Sequence, residues 1–190
     1  VYGIVSDGDL MEGISYEAAS LAGTLKLGKL IYLYDDNDVS IEGHTDITFT
    51  EDVAGRFRAC GWQVVGPVDG LSPAAVEGAL RTAREERERP SLVICRTVLG
   101  YGSPNKAGSA AVHGEPLGEE ETRLAKAQAG WPTEEPFHVP PESLAHFRRA
   151  LQRGRRAQEE WQARLEAYRR EYPAEAERLL GELRGDLPPG

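Results

Sequence analysis

The chain has 190 residues, 40% hydrophobic and 28% charged, and its 22 basic and 31 acidic side chains give a net charge of −9. That length allows one sizeable core, and the acidic balance argues against nucleic acid or an anionic membrane surface as partner. No apolar run approaches the roughly 20 residues of a membrane span, and the first residues lack the basic region and cleavage pattern of a signal peptide. Cys60 and Cys95 lie in or beside apolar runs without metal-ligand spacing, so they read as buried thiols suited to a reducing cytosol. The chain opens inside an apolar run without an initiator Met, which reads as a piece of a longer polypeptide.

Tyr2, Ile4 and Val5 form a short β-rich run that predicts a buried strand. It breaks off in Ser6-Asp7-Gly8-Asp9, residues suited to a turn and a helix entry. Ile14, Ala18, Leu21, Ala22 and Leu25 then share one face at helical spacing, with Gly28 placed to close the helix. A second apolar run, residues 30–34, ends in Asp35-Asp36-Asn37-Asp38, and residues 39–44 read as an irregular segment at the sheet edge. Thr50 is placed to cap a helix that begins at Glu51, buries Val53 and Phe57 and stops near Cys60-Gly61.

A third strand is predicted over 62–68. Ser72-Pro73 marks the next helix, with an N-cap followed by Pro in the first turn; it turns Val76, Leu80 and Ala83 inward. Residues 91–97 make a fourth strand. Strands alternating with helices predict an α/β fold, a parallel sheet with helices on both faces.

Residues 99–114 have no period, are rich in Gly, Ser, Pro and Ala, and end in His113-Gly114. A loop of that length inside a compact domain points to function. Beyond Gly118 a helix is predicted over 119–128 with acids in its first turn, then a Pro-rich extended stretch over 131–141. A long helix over 142–172 places Leu144, Phe147, Leu151, Trp161, Leu165, Tyr168 and Tyr172 on core-facing stripes. Pro173 interrupts it, and a short helix runs to about Leu183. The domain reading is an α/β part over 1–118, a helical extension over 119–184 and a linker over 185–190. The arginines near Arg148 read as a solvated face, and His44, His138 and His146 as surface or packing residues.

Asp7 and Asn37 are 30 residues apart (37 − 7), about one βαβ unit. Both therefore fall at the carboxyl ends of strands, where open α/β sheets bind ligands. A carboxylate, an amide oxygen and a nearby backbone carbonyl suit Mg²⁺ or Ca²⁺, and Mg²⁺ usually completes its octahedron with water and phosphate oxygens. Two other readings are open at this point. Asp7 could cap a helix while Asn37 makes a turn, or Asp7-Gly8-Asp9 could be the Asp-x-Asp metal site of a nucleotide-sugar glycosyltransferase, which leaves Asn37 and His113 without a role.

Longer stretches add a resemblance. Ser6-Asp7-Gly8-Asp9-Leu10-Met11-Glu12-Gly13-Ile14-Ser15-Tyr16-Glu17-Ala18-Ala19, then Gly100-Tyr101-Gly102-Ser103-Pro104-Asn105-Lys106-Ala107-Gly108 and His113-Gly114, resemble transketolase in order and spacing, over nearly the whole chain. The resemblance implies an incomplete thiamine diphosphate-binding fold, the later part of the N-terminal domain of such an enzyme. It also implies thiamine diphosphate with Mg²⁺ (or Ca²⁺) and transfer of a two-carbon ketol unit between sugar phosphates, by a homodimer of the cytoplasmic pentose phosphate pathway. Carried over residue by residue, it gives the metal Asp7, Asn37 and the Val39 carbonyl, and gives a phosphate oxygen the Gly8 N–H. Ile41 would lie against the thiazolium, His113 would donate to the diphosphate and the donor sugar, and Glu12 would sit in the subunit interface.

The sequence also departs from that pattern. Ser6 stands where Gly is usual, Asp9 where a small neutral residue is common, and Ala110 where some relatives have His. Asp9 adds negative charge beside a diphosphate site. The carboxylate that activates the aminopyrimidine and most sugar-phosphate arginines have no match, so the chain alone is expected to be inactive; a non-catalytic assembly subunit is the alternative.

Overall fold

The structure is a computed structural model that describes residues 1–187, so residues 188–190 of the expected linker lie outside the described residues. In chain order the elements are β1 (Tyr2–Ser6), α1 (Asp7–Met11), α2 (Gly13–Thr24), β2 (Ile31–Asp36), β3 (Val39–Ser40), β4 (Gly43–His44), α3 (Val53–Ala59), β5 (Gln63–Asp69), α4 (Pro73–Glu85), β6 (Ser91–Arg96), α5 (Glu119–Gln128), α6 (Pro141–Glu171) and α7 (Pro173–Arg184). The chain divides into two compact units, Val1–Glu134 and Glu135–Gly190.

The first unit is built on a parallel sheet in the order β1-β2-β6-β5. Side chains alternate along β2 and β6, so each strand feeds two cores. Tyr34, Leu92 and Ile94 face α1, α2 and α3 with Leu10, Ala19, Ala22, Phe57 and Trp62. Ile31, Val93 and Cys95 face α4 with Ala79 and Ala83. Helices thus cover both faces, as expected of a parallel sheet. Both cysteines are free thiols. Among the described residues no helix is long and apolar enough to cross a membrane.

Several local expectations need correction. β1 is not a buried strand: in this chain it is an edge strand, with Tyr2 58% and Ile4 75% exposed. The reason is that α4 packs over β5 and β6 and leaves the β1 end of that face bare. The helix predicted over residues 14–25 forms as α2, and Glu12, with an extended backbone, sets it off from the short α1 that precedes it. Its buried face is different, because Ile14, Leu21 and Leu25 are exposed and Ala19 and Ala22 are buried. α2 packs too closely for large side chains; a Cβ at Gly23 would lie 1.7 Å from the Cys60 carbonyl oxygen. Lys26, not Gly28, takes the left-handed conformation after α2 (φ 51°). Gly28 is needed instead for close approach, since a Cβ there would meet the Arg87 carbonyl oxygen at 1.9 Å. Asp52, rather than Thr50, caps α3 by accepting the Gly55 N–H at 2.8 Å.

In the second unit, α6 and α7 pack together and bury Ala176. The stripe on α6 does not form a core within this unit: Phe147 is 75% and Leu151 68% exposed. Length explains this. At about 1.5 Å per residue α6 runs ~46 Å and α7 only ~18 Å, so most of the longer helix has no partner in its unit.

Candidate functional site at the carboxyl edge of the sheet

β1 and β2 are paired in parallel with Ser6 opposite Asp35, so the residues that follow each strand emerge side by side. Asp7 begins α1 directly after β1 and is only 3% exposed. Its Oδ1 accepts the hydroxyl of Tyr34, itself buried on β2. Its Oδ2 is buried without a hydrogen-bond partner among the described residues. Burial pushes the Asp7 carboxyl above the ordinary range; the Tyr34 hydroxyl and the Asn37 backbone N–H oppose this, and Asp38 and Asp35 add to it. Burial, and then the bond to Asp7, likewise raise the Tyr34 phenol.

The Asp35–Asp38 turn is held side chain by side chain. Asp35 accepts the Thr97 hydroxyl and, at 3.2 Å, the Asn37 Nδ2. Asn37 Oδ1 accepts the Val39 N–H at 3.0 Å. Arg96, at the end of β6, pairs with Asp36 at 3.1 Å and with Asp38 at 3.2 Å. Asn37 therefore does form a turn, as one of the open readings had it, but an amide oxygen has a second lone pair left for a cation. Asp7 is not the helix cap of that reading; Ser6 is. Asp7, Tyr34, Asp36, Asp38 and Arg96 all line one cavity of about 260 Å³.

This donor set fits a divalent cation. Arg96 offsets Asp36 and Asp38, while the Asp7 carboxylate has a buried oxygen without a hydrogen-bond partner among the described residues, an arrangement that costs free energy unless a cation binds. Among the described residues no group of three or more His, Cys, Asp or Glu could hold a metal. The expected donors are of another kind, one carboxylate, one amide oxygen and one backbone carbonyl, and of the three Asp7 lines the cavity while Val39 is buried beside the Asn37 turn.

The remaining expected residues stand on other segments. Gly8 is exposed in the first turn of α1, and Glu12 is exposed between α1 and α2. Residues 39–44 are not irregular but form the small antiparallel pair β3–β4, with Ile41 70% exposed at its tip. His113 is half-buried at the end of a 3₁₀ turn (Ala110–Val112) and donates its backbone N–H to the Ala110 carbonyl at 3.0 Å.

The Asp9 carboxylate is turned back onto its own neighbour in the chain. Its Oδ2 accepts both the backbone N–H and the hydroxyl of Ser6, at 2.8 and 2.9 Å, so the two departures at the start of the chain form one capping pair. Asp9→Ala is expected to cost about 1 kcal/mol, a typical cap loss, measurable as a lower urea midpoint at unchanged m-value. Tyr34, Thr97 and Arg96 were not foreseen. The one sequence signal for them is their place at the ends of apolar runs, and their partners follow only from strand register.

Comparison with known proteins bears on the whole of this arrangement. Residues 1–188 match the family model described as "Transketolase, thiamine diphosphate binding domain". The chain is 48% identical over 187 residues to transketolase 2 of Escherichia coli, covering 98% of this chain and 28% of that protein. It is 47% identical over 190 residues to the transketolase of Geobacillus stearothermophilus, again 28% of the relative. Among solved structures, Pichia stipitis transketolase in complex with sedoheptulose-7-phosphate superimposes with a TM-score of 0.82 at 38% identity, over 100% of this chain and 28% of that one. The transketolase of Campylobacter jejuni matches with a TM-score of 0.78 at 41% identity, over 87% of this chain and 26% of that one. The chain thus spans a little over a quarter of the length of the relatives it matches.

Proposed function

This chain belongs to the transketolase family, and on that premise we propose that it supplies the metal and diphosphate side of a thiamine diphosphate site. The complete enzyme would transfer a two-carbon ketol unit from a ketose phosphate to an aldose phosphate. The observation that carries the proposal is the buried, unpartnered Asp7 Oδ2 beside the Asn37 turn at the carboxyl edge of the sheet.

Asp7, Asn37 and the Val39 carbonyl would hold Mg²⁺ or Ca²⁺, and the ion would tie the diphosphate to the sheet edge. Tyr34 fixes the orientation of the Asp7 carboxylate, and Asp35 orients the Asn37 amide so that its oxygen is the acceptor end. The Gly8 N–H would meet a phosphate oxygen and Ile41 the thiazolium ring, while His113 would donate a hydrogen bond to the diphosphate and the donor sugar. When bound, thiamine diphosphate supplies the electron sink for breaking a carbon–carbon bond next to a carbonyl. The pyrimidine-activating carboxylate and most phosphate-gripping arginines would come from other parts of the enzyme. We place that enzyme as a homodimer, with Glu12 at the subunit interface, in the cytoplasmic pentose phosphate pathway. The sugar phosphate bound in the Pichia stipitis enzyme supports the substrate class.

The test is thermal melting of the natural polypeptide that carries this sequence. Thiamine diphosphate with Mg²⁺ at about 100 times its Kd should add roughly 2.7 kcal/mol, whereas a nucleotide sugar with Mn²⁺ should add nothing; the opposite pattern would overturn the proposal. The 190-residue chain by itself should show no ketol transfer, and measurable turnover by it would refute the role given to the other regions.

A further inference from the structure

The loop between β6 and α5 presents His113, but its firmest anchor lies outside it. Glu121, in the first turn of α5, is 7% exposed. Its Oε1 accepts the Ser103 hydroxyl at 2.5 Å and the Asn105 backbone N–H at 2.9 Å, and its Oε2 accepts the Asn105 Nδ2 at 2.9 Å. One carboxylate thus takes every one of these bonds from a single tight turn. The bonding continues toward His113. Ser103 Oγ also accepts the Lys106 N–H at 3.2 Å, and Lys106 Nζ donates to the Leu117 carbonyl at 2.9 Å. The Lys106 carbonyl accepts the Ser109 hydroxyl at 2.6 Å, and Ser109 precedes the Ala110–Val112 turn that ends at His113.

An acid in a helix first turn ordinarily serves the helix dipole, the role the sequence reading gave to all the acids there. That account suits Glu119 and Glu120, which are exposed, and Glu120 pairs with Arg123 at 2.7 Å. It does not suit Glu121, which is turned inward onto the loop. Bonds from Ser103 first and Asn105 next, with Lys106 nearby, hold the Glu121 carboxyl at about 2, so it stays ionised and acceptor-only.

We infer that Glu121 is a positioning residue, which fixes the Ser103–Asn105 turn and, through Lys106 and Ser109, sets where His113 stands. The clamp rests on the bonds above; its functional consequence rests on the proposed role of His113.

Glu121→Gln is the variant of choice, because it keeps the size of the side chain while setting an amide N–H₂ against the donors of the turn. In the ligand-free natural polypeptide, hydrogen exchange over residues 99–118 should be at least tenfold faster in the variant, with β2 and β6 unchanged. Unchanged exchange in the loop would overturn the clamp. In the loaded enzyme the variant should raise the ketose phosphate KM about tenfold, and should add nothing in a His113→Ala background, since both changes remove the same interaction. Additive costs would overturn the link to His113. Failure of the wild-type polypeptide to bind thiamine diphosphate would refute the proposed function instead, and the exchange comparison would still decide the clamp.

Discussion

Asp7→Asn should make the ligand-free protein more stable and at the same time abolish its response to thiamine diphosphate with Mg²⁺. The two effects share one cause. The Asp7 carboxylate is buried, near Asp35 and Asp38, with one oxygen unsatisfied, and an unsatisfied buried polar atom costs about 1–3 kcal/mol. An amide still leaves an oxygen for the Tyr34 hydroxyl and puts a neutral N–H₂ where the unpartnered anionic oxygen was, and an unpaired neutral group costs less to bury than an unpaired charge. In the proposed site the same change takes away the only charged ligand of the cation, so cofactor affinity should fall at least 100-fold; loss of mere outer-shell partners already costs about 10–100-fold. Melting scans with and without ligand test both halves. A variant that lost stability yet kept its ligand response would show Asp7 to be structural.

The pH dependence has a defined sign. A carboxyl whose folded pKa is raised costs stability at neutral pH, and that cost is relieved as pH falls through the raised value. In the proposed site, protons would compete with the metal for the same oxygen. Mg²⁺-dependent cofactor binding should therefore weaken on acidification at a pH above the ordinary Asp range, while over the same range Asp7 makes the ligand-free fold more stable.

Gly23→Ala should be the most damaging single methyl group in the first unit, costing about 3 kcal/mol, the upper end of what overpacking does. A Cβ at this position would lie 1.7 Å from the Cys60 carbonyl oxygen and 2.9 Å from its carbon, both backbone atoms that cannot rotate away. α2 would have to lift from the turn before β5, and the Trp62 indole would lose its bond to the Ala19 carbonyl, now 2.8 Å. α1 and the Asp7 turn are joined to that helix, so the carboxyl edge of the sheet should loosen with it. Gly13→Ala is the control on the same helix, because a Cβ there meets nothing within 4 Å; it should be neutral or slightly stabilising. Urea unfolding of both variants decides the matter, and equal midpoints would contradict the packing described.

The sequence by itself determined what is governed by neighbours along the chain. Ser72-Pro73 starts α4 because an N-cap hydroxyl and a proline act locally, and Ser72 does accept the Ala75 N–H at 3.4 Å. The apolar run of residues 92–95 was enough to mark a strand, and the alternation of strands with helices to mark a parallel sheet covered on both faces. The interval from Asp7 to Asn37, together with their place just after apolar runs, was enough to put both at one edge of a parallel sheet, and the longer stretches of residues pointed to the family.

Tertiary structure alone decided which groups meet across that edge. Whether Tyr34 reaches Asp7, and whether Arg96 bridges Asp36 and Asp38, depends on the register of parallel strands joined by long crossovers. The buried face of α2 was misjudged for a related reason: a backbone contact at Gly23 favours small residues over the larger apolar ones that periodicity selects. Ser6 and Asp9 looked like separate departures until their hydrogen bonds made them a pair, and Glu121 like one more dipole acid until the loop folded onto it. In each case the deciding free energy comes from a partner distant along the chain or from the direction a side chain takes, and residue order encodes neither locally.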